Sequence, residues 1–173
     1  MPFLGRILMP SNAVSSGELV IKDVWKHIHI RGRIVGYSAN GIARMMVGGT
    51  SIDATGTCAS SIVETTTNNA TSVSAAGWPI AVAAITGTRF FVMDIINEAG
   101  IVKRMIGASN NNSVAAGTAP IQARFVGIWV NTSVAIQRLR LSNFDVLTGT
   151  TLSANTLTAG TTFDVWGHND DAG

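Results

Sequence analysis

KHIHIRGRIV, residues 26–35, is an alternation of polar and apolar side chains. Successive side chains of a strand point to opposite faces, so Ile28, Ile30 and Ile34 would share one face and the histidines and arginines the other. Gly32 interrupts the apolar series, which predicts either a β-bulge or a close approach of a neighbouring group. The segment therefore predicts a strand with one face in the core and one polar face.

Seven further runs rich in β-branched and aromatic residues are separated by clusters of Gly, Asn and Ser. They predict strands over residues 42–47, 80–85, 89–96, 101–108, 121–130, 135–141 and 161–166. With the first run they make about eight strands, which predicts an all-β, single-domain jelly-roll β-sandwich with antiparallel strands. The alternation assigns nine side chains to its core, namely Ile28, Ile30, Phe91, Met93, Phe125, Leu139, Leu141, Phe163 and Val165.

Clusters of turn-forming residues connect these runs. NEAG, residues 97–100, predicts a tight hairpin with a positive φ at Gly100, and NTS, residues 131–133, predicts a second hairpin. Two longer tracts, residues 55–76 and 109–120, are rich in Thr, Ser, Asn and Ala. They predict surface loops or extended arms, because neither has enough apolar content to fold alone.

Composition excludes several classes of protein. The chain has 173 residues, of which 46% are hydrophobic and 13% charged, and its formal net charge is +2. This composition argues against a disordered chain or a coiled coil, and so small a basic excess predicts no specific nucleic-acid partner. No run of about 18 apolar residues is present, so we expect no membrane partner. Cys58 is the single cysteine, which excludes an intrachain disulfide.

Residues 1–24 lack a periodic apolar pattern of their own. Their apolar side chains lie mainly between Pro2 and Pro10, and a flexible SNAVSSG stretch follows. We expect residues 1–24 to form an extended arm that docks on another subunit instead of completing the local sandwich. Residues 25–173 would form the sandwich domain.

His27 and His29 have a spacing compatible with metal ligands, because their side chains would share one strand face about 6 to 7 Å apart. A cupin-type site would add a nearby glutamate, but the following residues include Gly32 and Arg33. The sequence also lacks a Gly-x-Ser-x-Gly motif and a paired-carboxylate signature. We therefore expect a protein that is not an enzyme, without metal, cofactor or catalytic residues. A metal-dependent jelly-roll enzyme using His27 and His29 is the alternative.

The surplus of apolar and small polar residues over charges suggests a surface that is partly covered by further copies of the chain or by a partner. The histidines and arginines of residues 27–33 would form a cationic stripe with few local acids, which indicates a subunit contact. The candidate interface comprises Phe3, Leu4, Ile7, Leu8, His27, His29, Arg31 and Arg33.

Four stretches, WKHIHIRGRIVG, RFFVMDIINEAGIVKRMIGAS, GIWVNTSVAIQRLRL and LTAGTTFDVWG, resemble in order and spacing a family of small virion proteins of tailed bacteriophages. His27 begins a strand similar to the family's H-[LI]-x-[IL]-R-G-x-x-R, although Val35 stands where the second arginine usually lies. The middle hairpin resembles the family's pairing of an Asp-bearing strand with a basic strand, here Asp94 with Lys103 and Arg104.

Two further motifs extend the resemblance toward the C-terminus. Residues 129–141 match W-x-x-x-x-A-I-x-x-[IL]-x-[IL] with one residue of slack, and residues 160–167 match G-[ST]-x-[FL]-x-[LV]-[YW]-G. The resemblance covers about residues 25–167. These motifs describe strand packing, so they are more specific for the fold than for the role.

The resemblance implies a jelly-roll β-sandwich that acts by binding, as a structural component of the virion, and no catalytic residues carry over. We expect a capsid decoration (cement) protein on the capsid surface, a homotrimer that binds the major capsid protein or another virion protein and stabilises the head lattice. The alternative is a tail or fibre component that recognises host-surface glycans. Its signature would be exposed Trp or Tyr in the long loops, and TTTNNATS and SNNNSVAAG contain neither.

Overall fold

Every element of the computed structural model is a β-strand within the residues that it describes, which are 1–38, 41–64, 69–80, 87–111, 121–145 and 151–169. No stretch of these residues forms a helix that could cross a membrane. Twelve strands occur in these ranges: β1 Phe3–Leu8, β2 Leu19–Val20, β3 His27–Ile34, β4 Ile42–Gly48, β5 Cys58–Glu64, β6 Asn69–Ala75, β7 Trp78–Pro79, β8 Arg89–Ile96, β9 Lys103–Asn111, β10 Gln122–Trp129, β11 Arg138–Phe144 and β12 Thr162–His168.

The strands form two antiparallel sheets. The larger sheet has the order β1-β12-β3-β8-β9-β10-β5-β6, and the smaller has the order β2-β11-β4-β7. Eight strands, β1 to β4 together with β7, β8, β11 and β12, pair first with last, second with second-last, and so on inward. This winding defines a jelly roll and confirms the predicted fold class.

Two hairpins inserted into the jelly roll widen the larger sheet from four strands to eight: β5–β6 follows β4, and β9–β10 follows β8. The expectation of a loop or arm over residues 55–76 is therefore wrong. Backbone hydrogen bonds to β10 hold β5 despite its small side chains. Of residues 58–63, Cys58 and Ile62 are the ones that are fully buried. The predicted strand over 80–85 and the tract 109–120 lie mostly outside the described residues.

The two predicted hairpins have different outcomes. Residues 97–100 do connect the paired strands β8 and β9, and Gly100 has a φ of 83°. Residues 131–133 instead cross between the sheets, because β10 belongs to the larger sheet and β11 to the smaller. The side chain of Asn131 accepts hydrogen bonds from the backbone N–H groups of Ser133 and Val134, at 2.9 and 3.2 Å, which turns the chain without pairing the strands.

The core lies between the two sheets and contains all nine predicted core side chains. Gly32 has an inward position between Phe91 and Phe163 on the adjacent strands. A Cβ atom at Gly32 would lie 2.2 Å from the ring of Phe91. Of the two predictions for this glycine, close approach is therefore right, because β3 pairs regularly with both neighbours.

Residues 1–24 contribute a strand to each sheet, since β1 pairs with β12 and β2 with β11. Leu4 and Ile7 pack against the core, and Met9 is buried in it. The expectation that this segment docks on another subunit instead of completing the local sandwich is therefore wrong. Without β1, the edge of β12 would expose unpaired backbone N–H and C=O groups. The extended N-terminal segment of the same chain pairs with these groups.

Candidate functional site: the outer face of the larger sheet

The smaller sheet is covered on its outer side by the chain's own connections. Met46 and Phe144 point away from the main core, yet both are buried in a second cluster with Ala76 and Ile52. The chain after β4 and β11 folds back over this side through isolated bridges. The larger sheet differs, because its outward side chains are largely exposed.

Seven exposed apolar side chains lie on four adjacent strands of the larger sheet, β8, β9, β10 and β5. Burial alternates strictly along β8 and β10, so these side chains face away from the core. The most exposed of them is Ile106, at 61%. This apolar patch consists of Val63, Phe90, Val92, Ile96, Ile106, Val126 and Ile128. Contiguous apolar area of this kind marks interaction sites on soluble proteins.

Basic side chains surround the apolar patch. The described side chains on the outer face include five arginines against two aspartates, which leaves an excess of three positive charges. These charged residues are Arg6, Arg31, Arg33, Arg104, Arg124, Asp94 and Asp164. Guanidinium groups bind carboxylates and phosphates through paired hydrogen bonds, so the outer face favours an anionic partner.

Arg31 is held in place by its neighbours on the outer face. Its Nε donates to Nε2 of His29 at 3.1 Å, and its guanidinium carbon lies 5.9 Å from the ring centroid of Trp166. Nδ1 of His29 is hydrogen-bonded to the Asp94 carboxylate. Both ring nitrogens of His29 are therefore engaged, Nε2 by Arg31 and Nδ1 by Asp94.

One row of side chains crosses the sheet at Arg31. The register places Arg31 beside Val92, Val92 beside Ala108, and Ala108 beside Arg124. On the other side of Arg31 lies Asp164, whose carboxylate is engaged by the arginine of β1. Among the side chains that the structure describes, neither Arg31 nor Arg124 has a carboxylate within ion-pair distance.

Three open depressions lie on the outer face. The first, about 450 Å³, lies between Arg31 and Arg124 over Val92. The second, about 490 Å³, is lined by His27, His168 and other residues at the opposite ends of the same strands. The third, about 510 Å³, lies over the apolar patch. These three depressions are open, and they give the larger sheet a broad relief that suits a macromolecular partner.

The predicted interface residues divide into two groups. Six of them, Phe3, Leu8, His27, His29, Arg31 and Arg33, lie on the outer face of the larger sheet. Leu4 and Ile7 are partly buried and pack against the core instead, because they occupy the inward positions of β1. Phe3 contributes to an aromatic contact, with its ring centroid 5.8 Å from that of Trp166.

The arginines and apolar side chains of β8 to β10 were absent from the predicted interface. The sequence RFFVMDII of β8 carries apolar residues at both alternating positions, and β10 has a similar pattern. A strand that is apolar on both faces is typical of a sheet covered on both sides. That signal would have indicated Phe90, Val92 and Val126.

The histidines do not converge on a shared point. The rings of His27 and His168 stack face to face, with centroids 4.5 Å apart and an angle of 10° between their planes. Their nitrogens therefore lie in two nearly parallel planes. His29 already uses both nitrogens, for Asp94 and Arg31. Over the described ranges, no three His, Cys, Asp or Glu side chains form a group that could hold a metal ion.

The outer face therefore offers apolar area, arginines free to bind carboxylates, and a rigid sheet that fixes their spacing. Such an arrangement is suited to holding and orienting a partner. No protein-family model matches this chain, and no curated protein matches it.

Proposed function

We propose that this chain is a structural protein of a bacteriophage virion. Specifically, it would be a capsid decoration protein that associates as a homotrimer and binds the head lattice on the capsid surface. The outer face of the larger sheet would make the contact with the major capsid protein or another virion protein. The resemblance of the strand motifs to small virion proteins supports the virion assignment.

The exposed apolar patch, bordered by arginines, is the observation that carries this proposal. Eight strands about 4.8 Å apart and about seven residues long cover roughly 900 Å². A specific protein interface buries about 800 Å² on each partner. The outer face is therefore large enough for one stable interface, and its apolar side chains would contribute favourably when covered.

The edge strand β1 supports the oligomeric part of the proposal. It pairs with β12 on one side only, and its outward side chains Phe3 and Leu8 are exposed. Unpaired edges with exposed apolar side chains are sites where copies of a chain associate.

A decoration assay tests the function. Particles that lack this protein are mixed with the purified chain, then imaged and heated to measure the temperature at which the heads rupture. We expect density over the head lattice and a higher rupture temperature, because a ligand that binds only the assembled shell stabilises it. Host adsorption should not change. Density found only at the tail, with altered adsorption, would instead favour the tail or fibre role.

A pair of substitutions tests the surface. Ile106 lies in the centre of the apolar patch, whereas Val24, also exposed at 54%, belongs to the connection between β2 and β3 and to no strand of the larger sheet. Ile106→Asp should abolish decoration, and the matched control Val24→Asp should leave it intact. Equal decoration by both variants would contradict the assignment of this face.

A further inference from the structure

We infer that the depression between Arg31 and Arg124 binds an extended acidic segment of another protein, in which two carboxylate side chains flank an apolar one. This inference deepens the proposed function and rests on it for the source of the segment, which would be a protein of the head lattice. The chemistry of the depression, however, can be tested without any particle.

The spacing comes from the sheet itself. Arg31, Val92, Ala108 and Arg124 are direct neighbours across four adjacent strands, so the two arginines stand about 14 Å apart along the row. Ala108 is small, which opens the depression of about 450 Å³ between them. Val92 in the row and Phe90 beside it provide an apolar floor.

Both arginines are available to a ligand. Asp164, the acid next to Arg31, is held by two hydrogen bonds from the arginine of β1, at 2.5 and 2.7 Å. Asp94, on the next row, is bonded to His29. Arg31 is oriented by His29 and Trp166 before any ligand arrives, which lowers the entropy lost on binding.

An extended chain matches this spacing. At about 3.3 Å per residue it crosses about 14 Å in four residues, so side chains four positions apart reach both arginines. The side chain midway between them points to the same side and would lie on Val92 and Ala108. The expected ligand is therefore a segment with two Glu or Asp residues four positions apart and an apolar residue midway.

The charge of the outer face favours this ligand over a second copy of the chain. Two such faces packed together would oppose one positively charged surface to another. An acidic segment would instead neutralise Arg31 and Arg124 and cover part of the apolar patch. A nucleic acid would also neutralise the arginines, but it offers no apolar side chain to cover Val92 and Phe90.

The test uses a fluorescent synthetic peptide with the core Glu-Ala-Val-Ala-Glu between Gly-Ser ends, and the same peptide with both glutamates changed to glutamine. Anisotropy titration should show at least about tenfold tighter binding of the glutamate peptide, weakened by salt. Arg31→Glu and Arg124→Glu should each reduce affinity about tenfold or more. Lys22→Glu makes the same charge change on the exposed β2–β3 connection and should have little effect. Thermal unfolding confirms that each variant is folded.

Several results would overturn the inference: no binding of the glutamate peptide, equal affinity for the glutamine peptide, or full binding by Arg124→Glu. Displacement of the peptide by a short DNA duplex at physiological salt would assign the site to nucleic acid. An oligomer of the wild-type chain that dissociates in Arg124→Glu would assign it to a second copy.

The two proposals fail in different ways. If the wild-type chain decorates particles but does not bind the glutamate peptide, the acidic-segment inference is wrong and the proposed function stands. If the wild-type chain binds the peptide but decorates no particle, the site stands and the proposed function is wrong.

Discussion

Arg6 on β1 donates two hydrogen bonds to the carboxylate of Asp164 on β12, at 2.5 Å from Nε and 2.7 Å from a terminal nitrogen. This two-pronged geometry is the most directional form of an ion pair between side chains. It joins the first strand of the jelly roll to the last, and it keeps Asp164 from neutralising Arg31 on the next strand. The same pair thus anchors the N-terminal strand and leaves the outer face basic.

Asp164→Asn should lower stability at neutral pH, and the loss should disappear in acid. The hydrogen bond from Arg6, aided by its charge, lowers the pKa of Asp164 below its ordinary value despite partial desolvation. A carboxylate whose pKa is lowered by folding stabilises the protein above the unfolded pKa, about 3.9, and loses that contribution as the pH falls through the folded value. Urea unfolding of both proteins from pH 7 downward measures the difference.

Arg6→Gln removes the same ion pair from its other side. It should cause a similar loss at neutral pH, and combining it with Asp164→Asn should add little, because the two substitutions remove the same interaction. Fully additive losses would show that the pair does not act as a unit.

Deleting residues 1–10 should destabilise the fold by about 2 kcal/mol or more. The deletion removes β1, exposes the edge of β12 and takes Met9 out of the core. Phe3→Ser, which changes an exposed side chain and keeps the strand, should have a much smaller effect. A deleted chain that unfolds at the wild-type urea concentration would contradict the structural role of β1.

Ile30→Ala should cost about 2 to 4 kcal/mol, because Ile30 is fully buried between the sheets and its removal leaves a cavity. Ile106→Ala makes the same change on the exposed face and should cost less than about 0.5 kcal/mol. Chemical denaturation of both variants gives the two values. Similar losses for the two would show that the assignment of inner and outer faces is wrong.

Asp53→Asn should cost about 1 to 2 kcal/mol at neutral pH. Desolvation raises the pKa of Asp53, but hydrogen bonds from Thr55, Thr57 and Trp129 outweigh it and lower the pKa to about 2. Asparagine turns an amide group toward some of these donors and leaves them unsatisfied. The stabilisation by Asp53 is present above about pH 4 and lost as the pH falls toward 2. Asp23→Asn, at an exposed position, is the control.

The sequence by itself determined the all-β class and the inward side chains of five strands, namely β3, β8, β10, β11 and β12. Alternation is a local property of an extended backbone, so the positions of Ile30, Phe91 and Phe125 in the core follow from residues beside them. The same locality explains the prediction of a positive φ at Gly100, because a tight turn depends on a few consecutive residues. The same alternation placed His27, His29, Arg31 and Arg33 together on the outward face.

Only the tertiary structure decided which strands are neighbours. Strand pairing is made by backbone groups that every residue carries, so the Ser- and Thr-rich segments of β5 and β6 could join the sheet without an apolar signal. The sequence of the turn at Asn131 is compatible both with a hairpin and with a crossing between the two sheets. Arg31 and Arg124 are distant in the chain and share a row only because β3, β8, β9 and β10 lie side by side, an arrangement set by burial of both sheets' inner faces and not by any local pattern.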